Sequence, residues 1–205
     1  MIQTTQKHWF NRLGTPPARL LMRLGIHPNS LTLLGLGGCA AACWYLLATR
    51  NLAVFVWLCL ACGLIDVLDG SLARVSGTTS KFGGYLDAMT DRYFETMVAV
   101  SVAVVTGYWF WSVAALSGSL ITSYAKARAG LEVSVSNVEW PDLIERTERA
   151  TIYLLGLGLS QWWPVRPGGH DLFYWALVGL AVGTHLTALQ RMARARRLIA
   201  ERSRP

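Results

Sequence analysis

Charge is scarce in this 205-residue sequence: only 15% of its residues are charged, against 53% hydrophobic. With so few polar groups, no face is wide enough to cover the apolar surface, which excludes a soluble globule. Internal repeats and low-complexity linkers are missing, so one domain is expected rather than an array. The four cysteines, Cys39, Cys43, Cys59 and Cys62, all lie in apolar stretches. Cys59 and Cys62 have C-x-x-C spacing, but no redox fold surrounds them, and they read as small packing residues. The first thirty residues are basic and polar without an uninterrupted apolar region, so no cleavable signal peptide is expected.

Long apolar runs are what the sequence does have. Segments near 30–49, 52–68, 86–107, 109–127, 150–163 and 171–190 approach the length that spans a bilayer. The reading is an all-α polytopic membrane protein with six transmembrane helices. Ahead of them, residues 1–28 form an amphipathic surface segment. There Trp9, Phe10, Leu13, Leu20, Leu21 and Leu24 face lipid, and Arg12, Arg19 and Arg23 face headgroups. Residues 29–197 make the six-helix bundle and 198–205 a basic tail. Gly35, Gly37, Gly38, Gly156 and Gly158 read as helix-packing positions.

Basic residues set the orientation. Sixteen Lys and Arg fall in the arm, the tail and the loops of one side, against Arg50 and Arg166 on the other. The positive-inside rule places both termini in the cytoplasm, which an even number of spans requires. Trp44, Tyr45, Tyr108 to Trp111, Trp162, Trp163 and Phe173 to Trp175 fall at the opposite ends of the spans. The formal charge of +7 then serves topology and anionic lipid, not nucleic acid.

Against this background the stretch LIDVLDGSLARVSGTTSKFGGYLDAMTDRYFE stands out, because it carries four aspartates. Asp66 and Asp69 are three apart and Asp87 and Asp91 four apart, so each pair shares a helix face. Counted from the opposite ends of antiparallel helices, the pairs lie roughly 22–27 Å and 26–32 Å along their axes. Both therefore reach a similar level near the cytoplasmic boundary. Four carboxylates there cannot all stay ionised without protons or a cation. A set of oxygens without histidine suits a hard ion, Mg²⁺ or Mn²⁺. Mg²⁺ completes its shell with water or substrate phosphate, which points to a phosphate-bearing substrate and active-site chemistry on the cytoplasmic side. Pairing with Arg74, Lys81 and Arg92 is the structural alternative, but intramembrane acids mark function by default. Glu95 continues the Asp91 face and suits a structural partner as well as a ligand.

The pattern D-x2-D-G-x2-A-R-x8-G-x3-D-x3-D, read here as Asp66, Asp69, Gly70, Ala73, Arg74, Gly83, Asp87 and Asp91, resembles the signature of the CDP-alcohol phosphotransferase family without departures. The resemblance implies that the four aspartates hold divalent metal, with Asp91 also the general base. It implies CDP-diacylglycerol as donor, CMP as leaving product, an inner-membrane location and a homodimer. HPNSLT resembles the family's segment opening the first span, which brings Asn29, Ser30, Leu31 and Thr32 to the CDP-lipid side with Asp69, Gly70, Ala73, Arg74, Ser80 and Gly83. A helix N-cap at Asn29 or Ser30 is compatible with that role.

SYAKARAG followed by IERTER resembles the branch that makes phosphatidylinositol phosphate and archaetidylinositol phosphate, with Thr147 where proline is usual. It implies myo-inositol phosphate as acceptor, its phosphate held by Lys126, Arg128, Arg149 and Arg191. Lys126 and Arg128, two apart, do not share a helix face. The alternatives are a sister enzyme using another acceptor, such as glycerol 3-phosphate, and a cation-coupled transporter.

Overall fold

The computed structural model describes residues 16–133 and 143–202, and no strand occurs among them. Trp9, Phe10, Arg12, Leu13 and Arg204 lie outside the described residues. The helices are α1 (16–23), α2 (Pro28–Thr49), α3 (Leu52–Val75), α4 (Lys81–Thr106), α5 (Trp109–Glu132), α6 (Arg146–Trp162) and α7 (Leu172–Arg202), with a 3-10 turn at Pro167–Gly169. Every apolar segment read from the sequence falls on a helix. α2, α3 and α7 are long and apolar enough to cross a membrane. The chain divides into two units, Met1–Ser101 and Val102–Pro205, the division falling within α4.

In the first unit α2 packs on α3. The two-residue turn between them works because Arg50 takes the left-handed conformation (φ 56°), and the Asn51 side chain accepts from Val54 N at 3.1 Å to cap α3. Close packing needs small residues here. A Cβ on Gly35 would lie 3.4 Å from Ile65, and one on Gly38 would lie 3.4 Å from the Cys62 thiol. Gly37 meets no such neighbour among the described residues. All four cysteines are buried free thiols, as expected of packing residues.

α1 ends in a Schellman turn. Gly25 takes φ 69°, its N–H donates to Met22 O, and Ile26 N–H donates to Leu21 O, both at 3.1 Å. This turn folds α1 onto the start of α2 and the end of α3. Ala18 is fully buried with Leu31 and Leu72, and Leu21 and Ile26 pack around them. Leu21 therefore faces the core rather than lipid, whereas Leu20 and Leu24 remain exposed.

In the second unit α5 and α6 both pack on α7. A Cβ on Gly118 of α5 would fall on the Thr184 side chain, and one on Gly156 of α6 would come within 2.5 Å of Ala176 Cβ. Hydroxyls at these crossings donate to helix carbonyls, as buried polar groups must. Thr122 donates to Gly118 O (2.7 Å) and Thr187 to Gly183 O (2.7 Å). Asp171 caps α7 through Tyr174 N (2.9 Å) and accepts from the Tyr108 hydroxyl (3.0 Å). Tyr108, Trp111 and His170 gather around Tyr174. Phe173, expected in this aromatic belt, is instead buried against Tyr153.

The Gly118 contact predicts that Gly118→Val forces α5 and α7 apart. Overpacking of this kind costs about 1–3 kcal/mol, and the thermal midpoint of the detergent-solubilised protein should fall. Gly37→Ala, made into open space with a better helix former, should not lower the midpoint and should raise it slightly.

Candidate active site

Asp66 and Asp69 sit one turn apart on α3, and Asp87 lies in the second turn of α4. Each offers a carboxylate oxygen, and these three oxygens lie within 4.8 Å of one another. No other trio of acidic, cysteine or histidine ligands meets this spacing among the described residues. Asp69 is buried, and its Oδ2 has no hydrogen-bond partner. Thr32 is the hydroxyl in reach of this carboxylate. A buried carboxylate oxygen without a donor is costly, and a cation removes the cost. The donor set is oxygen only, so the residues present fit a hard divalent ion.

Asp91 stands apart from this trio. It is buried one turn further along α4, and its Oδ2 lies 4.0 Å from Arg92 Nη2. The stronger partner of Arg92 is Glu95 at 2.9 Å, so Glu95 takes the structural option left open by the sequence. Three of the four aspartates thus converge, and the fourth is set one turn aside.

The start of α2, the end of α3 and the start of α4 meet around the trio. His27, not Asn29 or Ser30, is the N-cap of α2: its Nδ1 accepts from Asn29 N at 3.2 Å, with Pro28 in the first helical position. The cap expected at Asn29 or Ser30 is corrected accordingly, because both already lie inside the first turn. Their side chains are released from capping, and Asn29 Oδ1 lies 3.4 Å from where a Cβ on Gly83 would stand. Ser80 Oγ accepts from Gly83 N at 2.9 Å, capping α4, and lies 3.1 Å from the same Cβ position. Asn29, Ser80 and Gly83 are therefore one cluster. Ser30 is exposed, and Leu31 is buried in the core beneath. Gly70 and Ala73 are half-buried, and above Gly70 the nearest atom is Arg74 Nη1, 3.5 Å from a Cβ there. That distance is ordinary contact, so chain packing alone does not require glycine at position 70.

Basic residues of the second unit divide into two kinds. Arg149 and Arg191 are buried and donate to backbone carbonyls: Arg149 Nη1 to Ile144 O at 3.3 Å, Arg191 Nη1 to Thr122 O. Lys126, half-buried, follows Thr122 by one turn of α5, so the two share a face. Arg128 is exposed and ion-paired with Glu132 at 2.5 Å, and it does not join them. IERTER opens α6. Glu145 and Glu148 form a capping box, with Glu145 N donating to Glu148 Oε2 at 2.9 Å. The E-x-x-E spacing before an apolar run was the available signal for this role. Thr147 sits in the first turn, where the N–H has no intrahelical partner, so threonine and proline serve equally.

Comparison with known proteins gives the family. Residues 25–189 match the profile of the CDP-alcohol phosphatidyltransferase family. The phosphatidylinositol phosphate synthase of Streptomyces avermitilis is 32% identical over 98% of this chain and 85% of its own. The archaetidylinositol phosphate synthase of Pyrococcus horikoshii is 37% identical over 75% of this chain and 79% of its own. The crystal structure of the Mycobacterium tuberculosis phosphatidylinositol phosphate synthase with CDP-DAG bound superimposes with a TM-score of 0.77 at 30% identity, covering 90% of this chain and 94% of that one. A second structure of that enzyme, with manganese and citrate, gives 0.77 at 29% identity over 89% of this chain and 88% of that one. With three helices fit to cross a bilayer and an aspartate trio inside the matched residues, this chain is an all-helical membrane enzyme belonging to the CDP-alcohol phosphatidyltransferase family.

Proposed function

We propose that the enzyme transfers the phosphatidyl group of CDP-diacylglycerol to a hydroxyl of myo-inositol phosphate and releases CMP. The observation that carries this reading is the convergence of Asp66, Asp69 and Asp87 around a partnerless buried oxygen, beside the open glycine at position 70. The curated relatives above bear the names of synthases of this kind, and the manganese in one solved neighbour supports a divalent ion here.

In the proposed mechanism Asp66, Asp69, Asp87 and Asp91 hold Mg²⁺ or Mn²⁺. When bound, the ion offsets charge on the pyrophosphate and on departing CMP. Asn29, Ser30, Thr32, Ser80 and Gly83 flank the cytidine side, with Leu31 supporting the same turn from the core. Gly70 and Ala73 leave the α3 backbone open to the pyrophosphate, and Arg74 donates to its oxygens. Asp91 takes the proton from the acceptor hydroxyl. The resulting alkoxide oxygen bonds to the phosphorus carrying the lipid as its bond to the CMP oxygen breaks. Lys126, Arg149 and Arg191 bind the acceptor's phosphate. Arg128, drawn from the sequence into the same group, is a peripheral member because Glu132 already neutralises it.

The architecture that goes with this reading is one domain. It has an amphipathic surface segment over 1–28, six spans over 29–197 and a basic tail over 198–205. α4, α5 and α6 supply the three spans beyond α2, α3 and α7. Both termini and the active site face the cytoplasm at the inner membrane, and the enzyme works as a homodimer.

Purified protein in detergent should release CMP from CDP-diacylglycerol only with inositol phosphate and a divalent ion. EDTA should abolish release, and excess Mg²⁺ or Mn²⁺ should restore it. Release driven by glycerol 3-phosphate and not by inositol phosphate would overturn the acceptor.

Asp91→Asn removes the base and should lower kcat by about 10²–10⁴-fold, while CDP-diacylglycerol binding measured by calorimetry persists. Near-normal turnover in that variant would reject the assignment.

Arg191→Gln should raise the KM for inositol phosphate about tenfold or more and leave the KM for CDP-diacylglycerol within twofold. Arg128→Gln should move either constant much less. Equal effects of the two variants would contradict the division between them.

A further inference from the structure

We infer that Ser71 is a positioning residue that fixes the Arg74 guanidinium over Gly70 for an oxygen of the CDP-lipid pyrophosphate, an assignment that rests on Arg74 serving that substrate as proposed above. Ser71 is 3% exposed, whereas Arg74 on the next turn is exposed. The Ser71 hydroxyl donates to Val67 O at 2.9 Å. Its single proton is thereby committed to the helix, and its lone pairs are left to accept. Arg74 Nη2 donates to that oxygen at 3.1 Å.

The rest of the guanidinium follows from this anchor. Helical side chains lean toward the N-terminus, so Arg74 reaches back across the turn that holds Gly70 and Ser71. With Nη2 on Ser71, Nη1 comes to lie over Gly70, 3.5 Å from where a Cβ would stand. Asp69, with its partnerless Oδ2, is the adjacent residue. A phosphate oxygen approaching the bare backbone at Gly70 would therefore meet an N–H already pointed at it.

Two bland readings account for less. A charge that only sets topology gains nothing from being tied down, since an exposed arginine is best solvated with its side chain free. A serine that only fills space is inferior to alanine inside a helix, because it competes for backbone groups. The hydroxyl is what alanine lacks, and accepting from Arg74 is what the hydroxyl does here.

The test is steady-state kinetics of the full chain in detergent, varying CDP-diacylglycerol and inositol phosphate separately. Loss of a hydrogen bond to a charged group corresponds to about tenfold or more. Ser71→Ala should raise the KM for CDP-diacylglycerol by about that factor, with kcat and the acceptor KM within twofold and an unchanged thermal midpoint. Ser71→Thr, which keeps the hydroxyl, should restore most of the loss. In an Arg74→Ala background Ser71→Ala should add nothing. If Ser71→Ala is silent while Arg74→Ala is impaired, Ser71 does not position Arg74. If Ser71→Ala costs as much without Arg74 as with it, or lowers both affinities and the midpoint together, its role is structural. If Arg74→Ala leaves the CDP-diacylglycerol KM unchanged, the reading of Arg74 fails and the positioning role goes with it.

Discussion

Carboxylates gathered inside apolar helices repel one another, and the site is organised around that repulsion. At the 4.8 Å limit of the Asp66, Asp69 and Asp87 oxygens, two ionised groups repel by about 3 kcal/mol at an effective dielectric near 20. Secondary structure prevents them from separating. Asp66 and Asp69 are one turn apart on a continuous α3, and Asp87 is fixed by the start of α4, which Ser80 caps. A chain that holds three acids together against such a cost needs protons or a cation to share. The partnerless Asp69 oxygen is where the arrangement is least complete without one.

Within each unit the helices meet the demands of an apolar solvent in a consistent way. Small residues allow backbones to approach where no hydrophobic gain distinguishes helix from lipid. Gly35 and Gly38 do this for α2 on α3, and Gly118 and Gly156 for α7. Threonine hydroxyls at the crossings donate to carbonyls of their own helix, so they add no unsatisfied group. The same habit at Ser71 has a different outcome, because its remaining lone pairs face a guanidinium rather than a neighbouring helix.

Much of this was legible in the sequence. Apolar runs located the helices, since length and hydropathy are properties of the segment itself. Periodicity and antiparallel depth are arithmetic, and they put the pairs Asp66 and Asp69, Asp87 and Asp91 at one level, of which three aspartates converge. What escaped were choices among equivalent candidates. Position 27 and positions 29 and 30 all carry side chains able to cap, and only backbone geometry selects His27. Phe173 looks like its belt neighbours Tyr174 and Trp175, and helix rotation alone sends it inward. Leu21 and Leu20 are chemically identical, and the Schellman turn at Gly25 decides which meets the core. Along α4 the relation of Asp91 to the trio depends on where the α3 acids stop, which the sequence does not encode locally.

The basic residues of the second unit carry the same lesson in charge rather than position. By sequence Lys126, Arg128, Arg149 and Arg191 are each explicable by topology, and only the two-residue offset of Arg128 from Lys126 sets one apart. Their surroundings separate them. Arg128 is exposed and faces Glu132, and an exposed ion pair of this kind contributes little and presents little net charge. Arg149 and Arg191 are buried and donate to carbonyls. A carbonyl that accepts from a guanidinium N–H fixes the direction of that group. Burying a cation is expensive, so each of these guanidiniums has to be met by acceptors where it sits. In the proposed function the acceptor's phosphate is the anion assigned to these guanidiniums, and burial is what separates them from Arg128, whose charge Glu132 already meets.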